Sequence, residues 1–459
     1  MNIIMIMSDS LRQDHLGCYG NRWIETPNID RLASESVVFE NAYPEGLPTL
    51  PVRAALFTGN YTLTNRFWKQ LTPEDVSMAE IFDEYGYVSC MITDTYHLFK
   101  PNMNYHRGFH EWHWIRGQEM DAYKSKPHSR DIKKYIKPEM KGDQIVRILD
   151  QYFRNVADRE KEEDYFVAQV MRYAAQWLEE NHKAHEQFFL YVDCFDPHEP
   201  WDPPPSYATK YTDPNYNGAW IMIPKGGPCD WMTQEELQHT RGLYAGEVSF
   251  VDKWVGRLIE QIEDLALMEN SLIIFLSDHG HPLGEHGKLL KMDDQLYSEL
   301  LRIPLFIRFP EKKYAGTRVK GLVETVDILP TILDILGHHN EAEFMHGKSL
   351  LPLITGKADK IHETVTMGFF SSDIRCIRDE EWSYIRKTKG EVCELYNLLR
   401  DPKESVNLIN KHPEKAKEMD DAIAKIFNIR YQKEHWFQMK YDVPGLSEGR
   451  FTPVRYWKK

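Results

Sequence analysis

Four short apolar runs, 3–7, 87–92, 188–192 and 271–276, each give way to a polar segment containing Asp, and they constrain this chain more than any other feature. Continuous apolar runs of this kind read as strands buried on both faces of a mostly parallel sheet. Between them Val167, Val170, Met171, Ala174 and Leu178, and later Val248, Val251, Val255, Leu258 and Ile262, recur at helical spacing, so helices cover that sheet. The expectation is an α/β fold: a large mixed, mostly parallel sheet flanked by helices. After Gly356 the pattern shifts to short alternating strands around Cys376, 382–385 and 394–396, which predicts a small C-terminal antiparallel α+β subdomain.

In open α/β sheets ligands collect beyond the C-terminal strand ends. The first run delivers Asp9 there, and the second delivers Thr95, Tyr96 and His97. The third leads to Asp196-Pro197-His198-Glu199-Pro200-Trp201 and the fourth to Ser277-Asp278-His279-Gly280-His281. An Asp and a His side by side at a strand end suit a divalent ion. Each has a plainer reading too: Asp9 as a turn residue, and His198 as a structural histidine. Thr49-Leu50-Pro51-Val52-Arg53 places a hydroxyl at what reads as a helix start, where free N–H groups and the helix dipole favour an anion. Alone, that segment reads as an ordinary N-cap. Only its company gives it chemistry.

At 459 residues the chain has room for a large domain and a smaller one. A charged fraction of 27% and a hydrophobic fraction of 42% are those of a soluble globular protein. The net charge of -14 argues against a nucleic-acid duplex or an anionic membrane as partner. The N-terminus reads as a first strand rather than a leader, no apolar run is long enough to span a bilayer, and the six cysteines are scattered, so a cytoplasmic protein is expected. The stretch 112–162 is rich in charge and reads as an insertion or lid without chemistry. The tail 431–459 is aromatic and basic; it is expected to pack across a neighbouring subunit of a homo-oligomer, to rim the pocket or to fold back on its own domain.

The Thr49 segment, Gly17-Cys18-Tyr19-Gly20, Thr26-Pro27-Asn28, Arg107-Gly108-Phe109, Asp196-Pro197-His198, and Ser277-Asp278-His279-Gly280 continuing to Lys291 resemble, in order and over nearly the whole chain, the sulfatases. The wider group is the alkaline phosphatase superfamily, and the likeness leans toward its phosphonate monoester hydrolases and phosphodiesterases. The resemblance implies a catalytic domain over 1–356 and a subdomain over 357–430. It also implies that Asp9, Thr49, Asp278 and His279 surround one divalent cation, zinc or manganese rather than calcium because position 279 is His. Thr49 is then the nucleophile, Arg53 and Lys291 offset charge on the transferred group, and His198 or His97 protonates the leaving oxygen. Asn65, Thr95, Tyr96 and Trp201 are expected to face the substrate, with Trp201 at the mouth. A second metal through His198, His281 and His286 stays open.

Three departures from the family pattern matter: Ser10 stands where a second Asp is usual, Thr95 replaces a Lys, and Thr49 replaces the Cys that becomes formylglycine. A Thr cannot be converted that way, so water must clear its covalent ester. The expected substrate is therefore a phosphodiester or phosphonate monoester. The alternatives are a sulfatase that works without formylglycine and an inactive relative that binds anionic glycans or phosphoesters.

Overall fold

The computed structural model describes residues 1–64, 68–140, 143–343, 345–388 and 390–441. Asn65 and the tail aromatics Phe451, Tyr456 and Trp457 lie outside the described residues. Eight strands form the main sheet. From edge to edge they are Arg318–Val319, Val37–Phe39, Leu305–Arg308, Ser271–Ser277, Asn2–Ser8, Phe188–Cys194, Val88–Thr93 and Glu111–Trp114. All run parallel except Leu305–Arg308, which is antiparallel to both neighbours.

Alternation along the central strand shows why both faces are apolar. Ile4 and Ile6 point into one core with the helices Phe166–Asn181 and Gln234–Asp264, while Ile3, Met5 and Met7 point into another with Leu50–Thr58 and Ile328–Ile335. The parallel register pairs Ser8 with both Cys194 and Ser277, and Met7 with Asp193, which pairs in turn with Thr93. Asp9, Asp94, Phe195 and Asp278 are thus the first residues beyond four adjacent strands at one sheet edge.

Part of the charged stretch 112–162 belongs to this frame. Glu111–Trp114 is the edge strand, and the helix Asp143–Asn155 buries Leu149, Tyr152 and Phe153 in the core. Its charges dominate the composition, but these residues and Ile148 suffice to seat it.

The C-terminal sheet runs Glu394–Asn397, Trp382–Arg386, Arg375–Arg378 and Val365–Phe369, all antiparallel, and then adds Gly46–Leu47 in parallel. The segment that leads into Thr49 is therefore a strand of the C-terminal sheet. The helix Pro413–Tyr441 packs Ala416, Met419 and Ile423 on the outer side of that sheet. Among the described residues no helix is long and apolar enough to cross a membrane.

Candidate active site

Thr49 caps the helix Leu50–Thr58, whose first turn holds Pro51 and whose end is closed by Gly59 in the left-handed conformation. Its own backbone is at φ 39° and ψ -82°, an uncommon place for a β-branched residue. Such strain persists only where surrounding contacts enforce it, and it clusters at functional sites. The contacts are present. The strand Gly46–Leu47 anchors one side, and Arg53 holds the other by donating its backbone N–H (3.1 Å) and Nη1 (3.2 Å) to the Thr49 carbonyl.

Arg53 is fully buried, and its guanidinium faces carboxylates. It donates to Asp193 through Nε and Nη2, both at 2.7 Å, and to Asp278 through Nη1 at 2.8 Å, while Asp9 lies 3.1 Å from Nη2. Three buried acids thus engage the fork of the side chain expected to meet the transferred group, and it orients them. Thr95, also expected to face the substrate, donates its hydroxyl to Asp193 at 3.2 Å and belongs to the same network.

Asp9, Asp278 and His279 come together with one ligand atom each, all within 4.8 Å of one another. Ser10, at φ 61°, braces the pair instead of supplying a carboxylate: its N–H donates to Asp278 and its hydroxyl to Asp9, both at 2.9 Å. The His279 Nδ1–H donates to the Gly280 carbonyl at 2.8 Å, which leaves Nε2 3.6 Å from Asp278 with no hydrogen-bond partner. Asp9 Oδ2 likewise accepts no hydrogen bond. Burial, and then the charge of Asp278, push the Asp9 carboxyl well above the usual carboxylate range. Burial opposes ionisation of Asp278 as well, but His279, Arg53 and the Ser10 N–H outweigh it and hold that carboxyl low. Two buried carboxylates and an imidazole lone pair aimed at one point fit a divalent cation.

A second cluster flanks the first. Lys291 Nζ donates to His198 Nε2 at 2.8 Å and to Glu199 at 2.9 Å, while His198 Nδ1–H donates to the Glu199 carbonyl at 2.6 Å. Burial, and then Lys291, depress the His198 pKa well below its ordinary value, so the imidazole is neutral and accepts from the ammonium. His97 packs on Trp68 and Phe195, and burial keeps it neutral too.

Trp201, expected at the mouth, is fully buried: its indole N–H donates to Pro197 at 3.0 Å and its ring packs edge-on against His281. Of the three histidines considered for a second metal, His281 lies near Glu199, with 3.7 Å between Nδ1 and the carboxylate. His286 does not join them, because it donates to Glu299 at 2.6 Å and stacks on Tyr297.

Sequence reasoning passed over Asp193, Glu119 and Gln118. Asp193 is a charge inside an otherwise apolar strand, and that was its available signal. Glu119 and Gln118 sit in the stretch expected to carry no chemistry, and no local pattern marks them. Gln118 donates to both Asp94 (2.8 Å) and Asp196 (2.9 Å).

Comparison with known proteins identifies the family. Residues 284–432 match the family described as N-sulphoglucosamine sulphohydrolase, C-terminal. The whole chain is 28% identical to the Ulvan-active sulfatase of Formosa agariphila, covering 87% of that protein. Over 93% of its length it is 28% identical to an arylsulfatase of Clostridium perfringens, of which it covers 93%. The solved phosphonate monoester hydrolase of Agrobacterium radiobacter shares the fold, with a TM-score of 0.72 at 22% identity over 94% of this chain and 96% of that one. Since residues 1–338, which hold Asp9, Thr49, His198, Asp278 and Lys291, match the family described as Sulfatase, the chain belongs to the sulfatase family of hydrolases, within the alkaline phosphatase superfamily.

Proposed function

We propose that the chain hydrolyses phosphodiesters or phosphonate monoesters, with Thr49 as covalent nucleophile. The observation that carries this reading is the strained placement of Thr49 at a helix N-terminus, tied through Arg53 to Asp9 and Asp278. Asp9, Asp278 and His279 would hold the divalent cation, with zinc or manganese favoured over calcium by the imidazole donor. When bound, it supplies Lewis-acid charge that lowers the pKa of a nearby hydroxyl.

In the first step Thr49 Oγ, its proton released to solvent, forms a bond to phosphorus as the ester P–O bond breaks. The leaving oxygen takes its proton from the Lys291–His198 pair, whose shared hydrogen bond lets either nitrogen be the immediate donor. In the second step water attacks phosphorus and returns a proton to the Lys291–His198 pair, while Thr49 Oγ leaves and regains its proton from solvent. A Thr ester cannot expel the group by collapsing to an aldehyde, which supports phosphoryl over sulfuryl transfer. Charge supports it as well: Arg53 is occupied by three acids, so Lys291 is the cation at the second cluster, which suits a substrate with a single negative charge.

Sulfuric ester hydrolysis is the second reading, favoured by the sulfatase names of the relatives. The two separate in one assay of the metal-reconstituted protein on aryl phosphodiester, phosphonate monoester, phosphate monoester and sulfate ester. Preference for the diester or phosphonate is expected. Thr49→Ala should lower turnover by about three orders of magnitude or more, and near wild-type turnover in that variant would refute the nucleophile. Turnover of none of the four would favour an anion-binding relative.

A further inference from the structure

The Lys291–His198 pair marks the side of the site where the leaving group departs, and two carboxylates stand beside it. Glu199 accepts from Lys291 at 2.9 Å. Glu119 comes from the loop after the strand Glu111–Trp114. Gln118 pins that loop to Asp94 and Asp196, and Glu119 itself is held at φ 44°, an uncommon conformation for a non-glycine residue. Tyr96 donates its hydroxyl to Glu119 at 2.8 Å. Ligand atoms of Glu119, His198 and Glu199 all lie within 4.8 Å of one another.

Two carboxylates face one ammonium here, and a buried histidine beside them lacks hydrogen-bond partners. Burial, and then the charge of Glu199, raise the Glu119 carboxyl to about 7, and neither Lys291 nor Lys100 offsets them. His281 is fully buried beside Glu199, and neither of its ring nitrogens has a hydrogen-bond partner. Buried polar atoms normally find partners, and the His281 nitrogens beside Glu199 can still bond to a polar group.

We propose that Glu119 and Glu199 form a leaving-group subsite that selects ester alcohols carrying an ammonium or hydroxyl donor near the scissile oxygen, and rejects alcohols carrying a carboxylate or phosphate. The inference rests on the ester-hydrolase reading, because it assigns the polarity of that site's leaving-group side. Two carboxylates accept from such donors, whereas like charges brought into a partly buried site repel strongly.

The test uses 3-(aminomethyl)phenol, 3-(hydroxymethyl)phenol and 3-hydroxybenzoate, both as phenylphosphonate monoesters and as free phenols, at pH 8.5, where Glu119 is ionised. Wild type should prefer the aminomethyl and hydroxymethyl esters to the carboxylate ester in kcat/KM by about tenfold or more. Glu119→Gln should weaken the aminomethyl ester and improve the carboxylate ester, and changes of opposite sign would not come from a general loss of structure. Tyr96→Phe removes a donor that competes for Glu119 and should keep the wild-type order. Calorimetric binding of the free phenols reads the same preference independently of turnover. An identical order in wild type and Glu119→Gln, in turnover or in phenol binding, overturns the inference. Absence of phosphonate turnover with the phenol preference intact would instead count against the proposed reaction.

Discussion

Arg53 shows how one side chain sets the state of a site. Its guanidinium is the shared counterion of Asp9, Asp193 and Asp278, all fully buried. Removing one partner of a buried ion cluster leaves the others uncompensated, so Arg53→Met is expected to cost about 3–5 kcal/mol. Urea unfolding monitored by tryptophan fluorescence measures it, and a loss under about 1 kcal/mol would show that the cluster does not depend on Arg53. Short motifs at strand ends singled out Asp9, His198 and Asp278 in the sequence, and the family resemblance singled out Arg53 and Lys291. The target of Arg53 was not legible, since Asp193 is 140 residues away and meets it only across the sheet edge.

At the level of elements, the loop after Ser271–Ser277 places His279, and Gly280 fixes the course of that loop. The Gly280 N–H donates to the Leu300 carbonyl at 2.8 Å, and a Cβ at this position would run into the Glu299 carbonyl. Backbone cannot yield as a flexible side-chain end can. Gly280→Ala is therefore expected to destabilise the protein by about 1–3 kcal/mol and, by displacing His279, to weaken binding of the divalent cation proposed for Asp9, Asp278 and His279, with zinc as the probe. Thermal denaturation and a metal-chelator competition assay measure the two effects, and unchanged zinc affinity would break the link between loop course and ligand position. The central strands and the two long helices that cover them were readable from apolar periodicity. The edge strand Glu111–Trp114 was not, because its four residues carry no long apolar run and two of its side chains are exposed.

Across the whole molecule, His286 ties the loop after Ser271–Ser277 to the C-terminal sheet. It donates Nδ1–H to Glu299 at 2.6 Å and Nε2–H to the Glu404 carbonyl at 3.2 Å, while the Glu404 side chain binds the fully buried Arg378 at 2.7 Å. Burial disfavours the imidazolium, but the hydrogen bond and charge of Glu299 outweigh it and raise the His286 pKa to about 9. A pKa raised in the folded state means stabilisation that is complete below the ordinary value of 6.5 and lost as pH climbs through about 9. The Tm of wild type should therefore fall across that window more steeply than the Tm of His286→Gln. Parallel Tm curves for the two proteins would remove His286 from the account.

Local pattern determined the α/β class and the C-terminal antiparallel sheet, and with the family resemblance it picked out most of the candidate side chains at the sheet edge, because apolar periodicity and short strand-end motifs are properties of neighbouring residues. Tertiary structure decided which charges meet. Parallel register brings four strand ends level, and burial then turns Asp193, Glu119 and Glu199 into partners of Arg53, Tyr96 and Lys291. It also withdraws Trp201 from the mouth and joins the Thr49 segment to the C-terminal sheet. Such pairings depend on distances across the fold, and spacing along the chain does not encode them.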